Sequence, residues 1–189
     1  MKKERKQTRK MRPFFLVFCE GDTEETYINF LRRQYRLPIK VIPRITGIAI
    51  SPEIIKRYIQ NEQIGRSDKI TSFLMYDLDM KEIAQKIEAC KGSISIVSNP
   101  SVELWFLLHT GEQNAAITTD TCIEKLKKSS LDWLYYQKGS LSEKQKEILW
   151  KNRGTASTRA KRLPEGENPS SLVYVLIDKM EKIRRTVDG

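Results

Sequence analysis

The sequence predicts an α/β fold with a mainly parallel sheet, and three observations lead there. Four strand-length apolar runs alternate with segments of helical periodicity between residues 13 and 110. Two of those runs end directly in acids. From about residue 119 the strand-length runs stop and helical segments follow one another, which predicts a helical annex.

The first run, Phe14-Phe15-Leu16-Val17-Phe18-Cys19, has the length and the β-branched and aromatic content of a buried strand, and it delivers Glu20 to its end. Gly21 allows a sharp turn. Asp22 and Glu25 have the spacing of a capping box at the start of a helix. Tyr27, Ile28, Phe30, Leu31 and Tyr35 form the stripe that packs this helix on the strand. Residues 39–45 read as a second strand, with Pro43 placing it near an edge or irregularity. Ser51 is suited to cap the next helix and Pro52 to its first position, with Ile54, Ile55, Tyr58 and Ile59 inward and Gly65 beyond its end.

Residues 70–76 make a third strand, and Asp77-Leu78-Asp79 follows at once. A helix over 81–90 carries Ile83, Ala84 and Ile87. The fourth strand, 93–97, leads into Ser98-Asn99-Pro100-Ser101. Ser101 is suited to cap a helix whose Leu104–Leu108 run is nearly continuous in apolar surface, which predicts deep burial. Four helical segments follow over 119–137, 140–151, 155–163 and 170–185, with a loop at 164–169. The expected organisation is a basic tail over 1–12, an α/β core over 13–110 and an annex over 111–189 packed on that core.

A chain of 189 residues supports one substantial core. Apolar content of 39% and charged content of 31% describe a soluble globular protein with no run near the roughly 18 apolar residues of a membrane span, and a basic start that does not resemble a secretory signal leads us to expect the cytoplasm. Cys19, Cys90 and Cys122 are odd in number and widely spaced, and His109 is the lone histidine, so neither a disulfide framework nor a zinc site is expected. His109, after an apolar helix, reads as a packed residue. The net charge of +10 is uneven, because residues 1–12 hold seven basic residues against Glu4. Such a tail attracts nucleic acid, and it equally describes a solvated end. No phosphate-binding glycine loop is present, so ATP chemistry would belong to another chain.

In open parallel sheets, ligands bind outside the carboxyl ends of the strands. Glu20, Asp77, Asp79 and the turn at 98–101 all come to that edge. Asp77 and Asp79 are two apart and in extended geometry face the same side. With Glu20 they make a hard-oxygen set suited to magnesium or manganese, to which Glu24 and Glu103 can add. The bland alternative stands beside this: acids in the first turn of a helix are favoured by its dipole whatever they do, and two aspartates can simply end a strand.

A second informative stretch, residues 151–162, has five basic residues and no acids. Lys151, Arg153, Arg159 and Lys161, with Lys138 upstream, are candidate phosphate contacts or a solvated helix face. Trp133, Tyr135, Tyr136 and Trp150 are suited either to stack on bases or to pack the annex; a self-association surface is a further option.

Cys19-Glu20-Gly21-Asp22-Thr23-Glu24-Glu25-Thr26-Tyr27, Asp77-Leu78-Asp79 and Ser98-Asn99-Pro100-Ser101-Val102-Glu103-Leu104-Trp105-Phe106-Leu107-Leu108-His109, in this order, resemble the RloB family. The resemblance continues through the Ala160 region and the Asn168-Pro169-Ser170 turn, covering most of the chain. RloB-like proteins are similar to the Toprim fold of topoisomerases, primases and the overcoming-lysogenization-defect nucleases. The resemblance implies a Toprim-like core in which Glu20, Asp77 and Asp79 organise Mg2+ or Mn2+ for phosphodiester chemistry. It adds Glu24 as a ligand and Glu103 as an acidic participant; beside it, the basic residues read from the sequence, Lys138, Lys151, Arg153 or Arg159, are expected to neutralise transition-state charge. It further implies a metal-dependent endonuclease of DNA or RNA in bacterial antiviral defence, of the abortive-infection kind, beside a separately encoded ABC-like ATPase. The contrasting expectation is a non-catalytic nucleic-acid-binding or regulatory subunit.

Overall fold

The computed structural model describes residues 13–42, 49–63 and 70–188. Its architecture is α/β: a four-stranded parallel sheet flanked by helices, consistent with a Toprim-like core, and a C-terminal helical annex. Strand β1 (Phe14–Cys19) lies between β2 (Ile39–Ile42) and β3 (Ile70–Met75), and β4 (Ile94–Ser95) pairs with β3. All three pairings are parallel. The edge position expected near Pro43 is that of β2; Pro43 and Gly65 themselves lie outside the described residues.

β1 is buried along its whole length because each of its faces meets a separate apolar layer. Phe15, Val17 and Cys19 point into one core, with α1 (Asp22–Tyr35) and α4 (Val102–Leu108). Phe14, Leu16 and Phe18 point into the other, with α2 (Pro52–Gln63) and α3 (Lys81–Ala89). This is the period-two alternation of a strand written into two layers. Burying each such side chain contributes about 1.5–3 kcal/mol.

The first core continues without a break into the annex. Trp133, Tyr136, Leu149, Ala156, Ala160, Leu176 and Met180 belong to the same cluster as Phe15 and Trp105. The annex elements are α5 (Thr119–Ser129), a 3-10 turn at Leu131–Trp133, α6 (Glu143–Lys151), α7 (Arg153–Ala160) and α8 (Val173–Asp188). A short antiparallel pair, β5 (Ser98–Asn99) with β6 (Ser170–Ser171), ties the two parts together.

Several local expectations are corrected. The helix anticipated over 119–137 stops at Ser129, because Ser130 is extended and the 3-10 turn redirects the chain. The fourth strand is regular over two residues, yet the chain stays beside β3: Ile96 N donates to Leu74 O, Ser98 N to Tyr76 O and Leu78 N to Ser98 O, while Ser98 also pairs with Ser171 of β6. Ala84 is exposed, and Ile83 and Ile87 alone carry the inner face of α3. The residue at the N-cap of α1 is Gly21 with no side-chain cap, so Asp22 and Glu25 make no capping box. Ser51 does cap α2, accepting from Ile54 N at 3.3 Å.

Candidate active site

Strand ends and helix starts meet at the carboxyl edge of the sheet through a relay of carboxylates. Glu20, just past β1, accepts a hydrogen bond from Asp77 N through Oε2 at 2.9 Å. Asp77, two residues past β3, accepts from Val102 N through Oδ1 at 2.9 Å, which fixes the first residue of α4. That puts Glu103 one residue further on, fully buried. Each step uses a backbone donor that a terminating strand or helix leaves unpaired.

Glu103 is the best-held acid of the group. Ser101 Oγ donates to its Oε2 at 2.7 Å and Tyr136 OH to its Oε1 at 2.9 Å. Lys138 Nζ stands 3.7 Å from Oε2, with just over half of the lysine side chain (53%) exposed. Ser101, expected to cap α4, makes no side-chain cap and supports Glu103 instead.

Glu24 arrives from the first turn of α1 and is buried. Its carboxylate folds back so closely that a Cβ on Gly21 would lie 3.0 Å from Glu24 Oε2, so a side chain at Gly21 would have to displace Glu24. On its other flank α1 is fastened to the loop carrying Lys138: Gly139 N donates to Thr23 Oγ1 at 2.8 Å and Thr26 Oγ1 donates to Gly139 O at 2.9 Å. Gly139 takes φ +80, and a Cβ there would lie 3.2 Å from Asp22 Cβ. Both the left-handed backbone and the close approach require glycine.

The charges feel one another. Burial raises Asp77 to about 9, with the negative charges of Glu24, Glu103 and Glu20 adding to it and Lys138 opposing. Burial likewise lifts Glu24 to about 7, helped by Glu103 and Glu20. Glu20 is raised by burial and by Asp79, against its bond from Asp77 N and the charge of Lys138. Asp79 is exposed at the rim. The structure thus brings Glu20, Glu24, Asp77, Glu103 and Lys138 into one electrostatic neighbourhood, with Asp79 beside Glu20. Among the described residues, however, no three or more His, Cys, Asp or Glu side chains are grouped as an ion would require. Glu20 and Asp77 each aim one oxygen at a backbone amide and keep the other available.

The basic stretch of the annex is placed differently. Arg153 Nε donates to Glu181 Oε1 at 2.7 Å and to Tyr35 OH at 3.2 Å, Nη1 donates to Trp150 O at 2.6 Å, and the guanidinium lies 3.9 Å from the Trp150 ring centre. Arg159 Nη1 donates to Leu108 O at 2.7 Å. Lys161 Nζ is 2.6 Å from Asp178 Oδ2. Lys151 stands exposed on the rim of a groove between α7 and α8. As built, Arg153 and Arg159 fasten the annex to the core.

His109 is buried, with Nδ1 2.8 Å from Trp105 O and its ring edge-on to Trp105; burial lowers it to about 4, so it is neutral at ordinary pH. The three cysteines are free and buried. Sequence reasoning missed Ser101 and Tyr136 as supports of Glu103, and the Thr23–Gly139–Thr26 fastening. The Gly following Lys138 was the one local signal of the latter, a turn residue next to a candidate charge.

Among the described residues no helix is long and apolar enough to cross a membrane. Comparison with curated proteins and with solved structures returned no match. A family model described as RloB-like protein matches residues 15–180, which takes in the sheet from the second residue of β1, the carboxylate relay and most of the annex. The chain belongs to the RloB-like family.

Proposed function

We propose that this chain is a divalent-metal-dependent nuclease that hydrolyses phosphodiester bonds in DNA or RNA. The observation that supports it is a charge imbalance: Glu20, Glu24, Asp77 and Glu103 lie close enough that the negative charges of Glu20 and Glu103 add to burial in raising both Asp77 and Glu24, with Asp79 at the rim and Lys138 as the opposing cation among the described residues. Holding like charges together in a partly buried place costs stability unless a cation joins them. An all-oxygen donor set of this kind suits Mg2+ or Mn2+, with Glu20, Glu24, Asp77 and Asp79 as the holding residues. The ion would supply Lewis-acid polarisation of the phosphate and a more acidic water. Glu20, with one carboxylate oxygen held by Asp77 N, would orient or deprotonate that water through the other. Lys138, held by Glu103 yet half exposed, would meet the charge developing on the phosphate. Lys151 and Lys161 would contact phosphates beyond the cut.

In keeping with the family resemblance, we place the activity in bacterial antiviral defence, alongside a separately encoded ABC-like ATPase that licenses the cut. A second reading, a non-catalytic nucleic-acid-binding or regulatory subunit, is favoured by one observation: Glu20 and Asp77 already perform structural work on backbone amides.

Incubation with plasmid, single-stranded DNA and total tRNA, with Mg2+ or Mn2+, with and without the neighbouring ATPase, separates the two. Cleavage that disappears in Glu20→Gln and Asp77→Asn while binding persists supports the enzyme. No cleavage and no Mn2+ binding by calorimetry, even with the ATPase and ATP present, leaves the binding subunit.

A further inference from the structure

The four aromatic residues that the sequence offered as base-stacking candidates divide sharply. Trp133 and Tyr136 are at most 1% exposed and Trp150 is packed against Tyr35, whereas Tyr135 is 86% exposed. Exposing a tyrosine ring to this extent leaves unburied an apolar surface that normally seeks cover. Leu131 and Leu134 beside it are exposed as well.

This patch stands on a rigid base. The rings of Trp133 and Tyr136 pack on each other and on Phe106, Gln145 Nε2 donates to Asp132 O at 2.9 Å, and Gly139 is bonded to α1 on both its polar atoms. Tyr135 is also adjacent in the chain to Tyr136, whose hydroxyl bonds Glu103 of the acid cluster, and three residues from Lys138. The surrounding stretch, 124–146, has six lysines against three acids; Lys128, Lys144 and Lys146 pair with those acids, and Lys125, Lys127 and Lys138 carry the excess positive charge. An exposed ring in a net-basic segment, three residues along the chain from the half-exposed Lys138, is the combination that binds a strand through one stacked base and its backbone charges.

We propose that Tyr135, with Leu131 and Leu134 at its side, is a stacking platform for an unpaired base of a single-stranded nucleic acid. The inference rests on the nuclease reading for the position of the phosphate, but the stacking itself does not require hydrolysis. A duplex keeps the faces of its bases stacked on one another and offers only edges, so a ring standing clear of the surface discriminates in favour of unpaired strands. The platform therefore acts on substrate choice.

The test is anisotropy titration of the full chain with a fluorescein-labelled single-stranded oligonucleotide, as DNA and as RNA, and with the same sequence as a duplex, with Ca2+ in place of Mg2+. Tyr135→Ala is expected to weaken single-strand binding about 10-fold, Tyr135→Trp to retain it, and neither to change duplex binding. Circular dichroism should show an unchanged melting temperature, as befits an exposed position. Equal single-strand affinity in wild type and Tyr135→Ala overturns the proposal, as does loss in Tyr135→Trp equal to that in Tyr135→Ala. It is also overturned if the wild-type chain binds no oligonucleotide, or if it sediments as a dimer that Tyr135→Ala dissociates, which would make the patch a self-association surface. Ring-dependent binding without any cleavage would sink the hydrolytic reading alone and leave the platform in place.

Discussion

The acid edge of the sheet and the basic surface of the annex are both dense in charge, yet they are solved in opposite ways. In the annex each inward-turned cation has a partner: Arg153 has Glu181, Arg159 a helix-end carbonyl, Lys161 Asp178. At the sheet edge the carboxylates have one another, with Lys138 as their counterweight among the described residues. Matched charge holds a fold together, whereas unmatched charge is retained at the fold's expense and, on the nuclease reading proposed above, is where an ion would bind. The two regions should therefore respond oppositely to mutation.

The largest expected effect is at Asp77. On the nuclease reading, Asn keeps an oxygen for Val102 N but can never take a negative charge, so α4 stays fixed while the proposed site loses a ligand. Cleavage should fall by about 1,000-fold, on the scale of losing a group that stabilises the transition state directly. Thermal unfolding should move upward, the reverse of what deleting a structural group would give. An Asp77→Asn protein that unfolds at lower temperature than wild type would place Asp77 with the annex charges, as structure.

Next in size is the pH dependence of the metal-free protein. Asp77 and Glu24 titrate at about 9 and about 7 in the fold, above ordinary carboxylates. Their protons are held more tightly folded than unfolded, so stability is greatest below the unfolded values near 4 and falls as pH rises through 7 and 9. In EDTA, stability should fall continuously between pH 5 and 9, by about 1.4 kcal/mol per pH unit for each raised carboxylate below its folded value. Asp77→Asn should flatten most of that slope, and added Mn2+ should flatten it too. A slope unaffected by Mn2+ would argue that no ion joins the cluster.

Much of this contrast was legible before any coordinates. Glu20, Asp77 and Asp79 stand out because period-two apolar runs end on them, and strand ends in a parallel sheet share an edge. The partners that decide their meaning were not legible. Tyr136 reaches Glu103 across 33 residues, and Gly139 reaches Thr23 across 116, with no periodicity linking them. The annex misled in the same way: residues 151–162 read as an unopposed basic run because Glu181 and Asp178 come from α8, which folds back beside it. The overlong helix at 119–137 arose because Trp133 and Tyr136 keep helical spacing although Ser130 has already left the helix. Local pattern gives elements and their ends; charge compensation is a tertiary property.

Arg153 breaks the comparison from the other side. It joins α7 to Glu181 of α8, to Tyr35 of α1 and to the Trp150 ring, and Tyr35 OH also donates to Glu181 at 2.8 Å. Arg153→Ala should destabilise by about 2 kcal/mol, since it strands Glu181 and uncovers Trp150. Arg153→Lys should recover less than half, because an ammonium cannot serve Glu181, Tyr35 and the ring face at once. Binding of a single-stranded oligonucleotide at a temperature where the variant is folded should be nearly unchanged.

The smallest effect belongs to Lys161. Its bond to Asp178 is short, but both side chains are about half exposed, at 47% and 50%, so solvent screens it. Lys161→Ala should cost about 0.5 kcal/mol or less in urea unfolding, with an unchanged m-value. Arg153 and Lys161 stand on the same helical face of the annex, so a fourfold difference between them would show that burial and multiple partners, not the presence of an ion pair, set the strength of the annex. If Lys161→Ala instead leaves stability untouched and weakens nucleic-acid binding with a shallower salt dependence, Lys161 belongs with Lys138 on the functional side of the comparison.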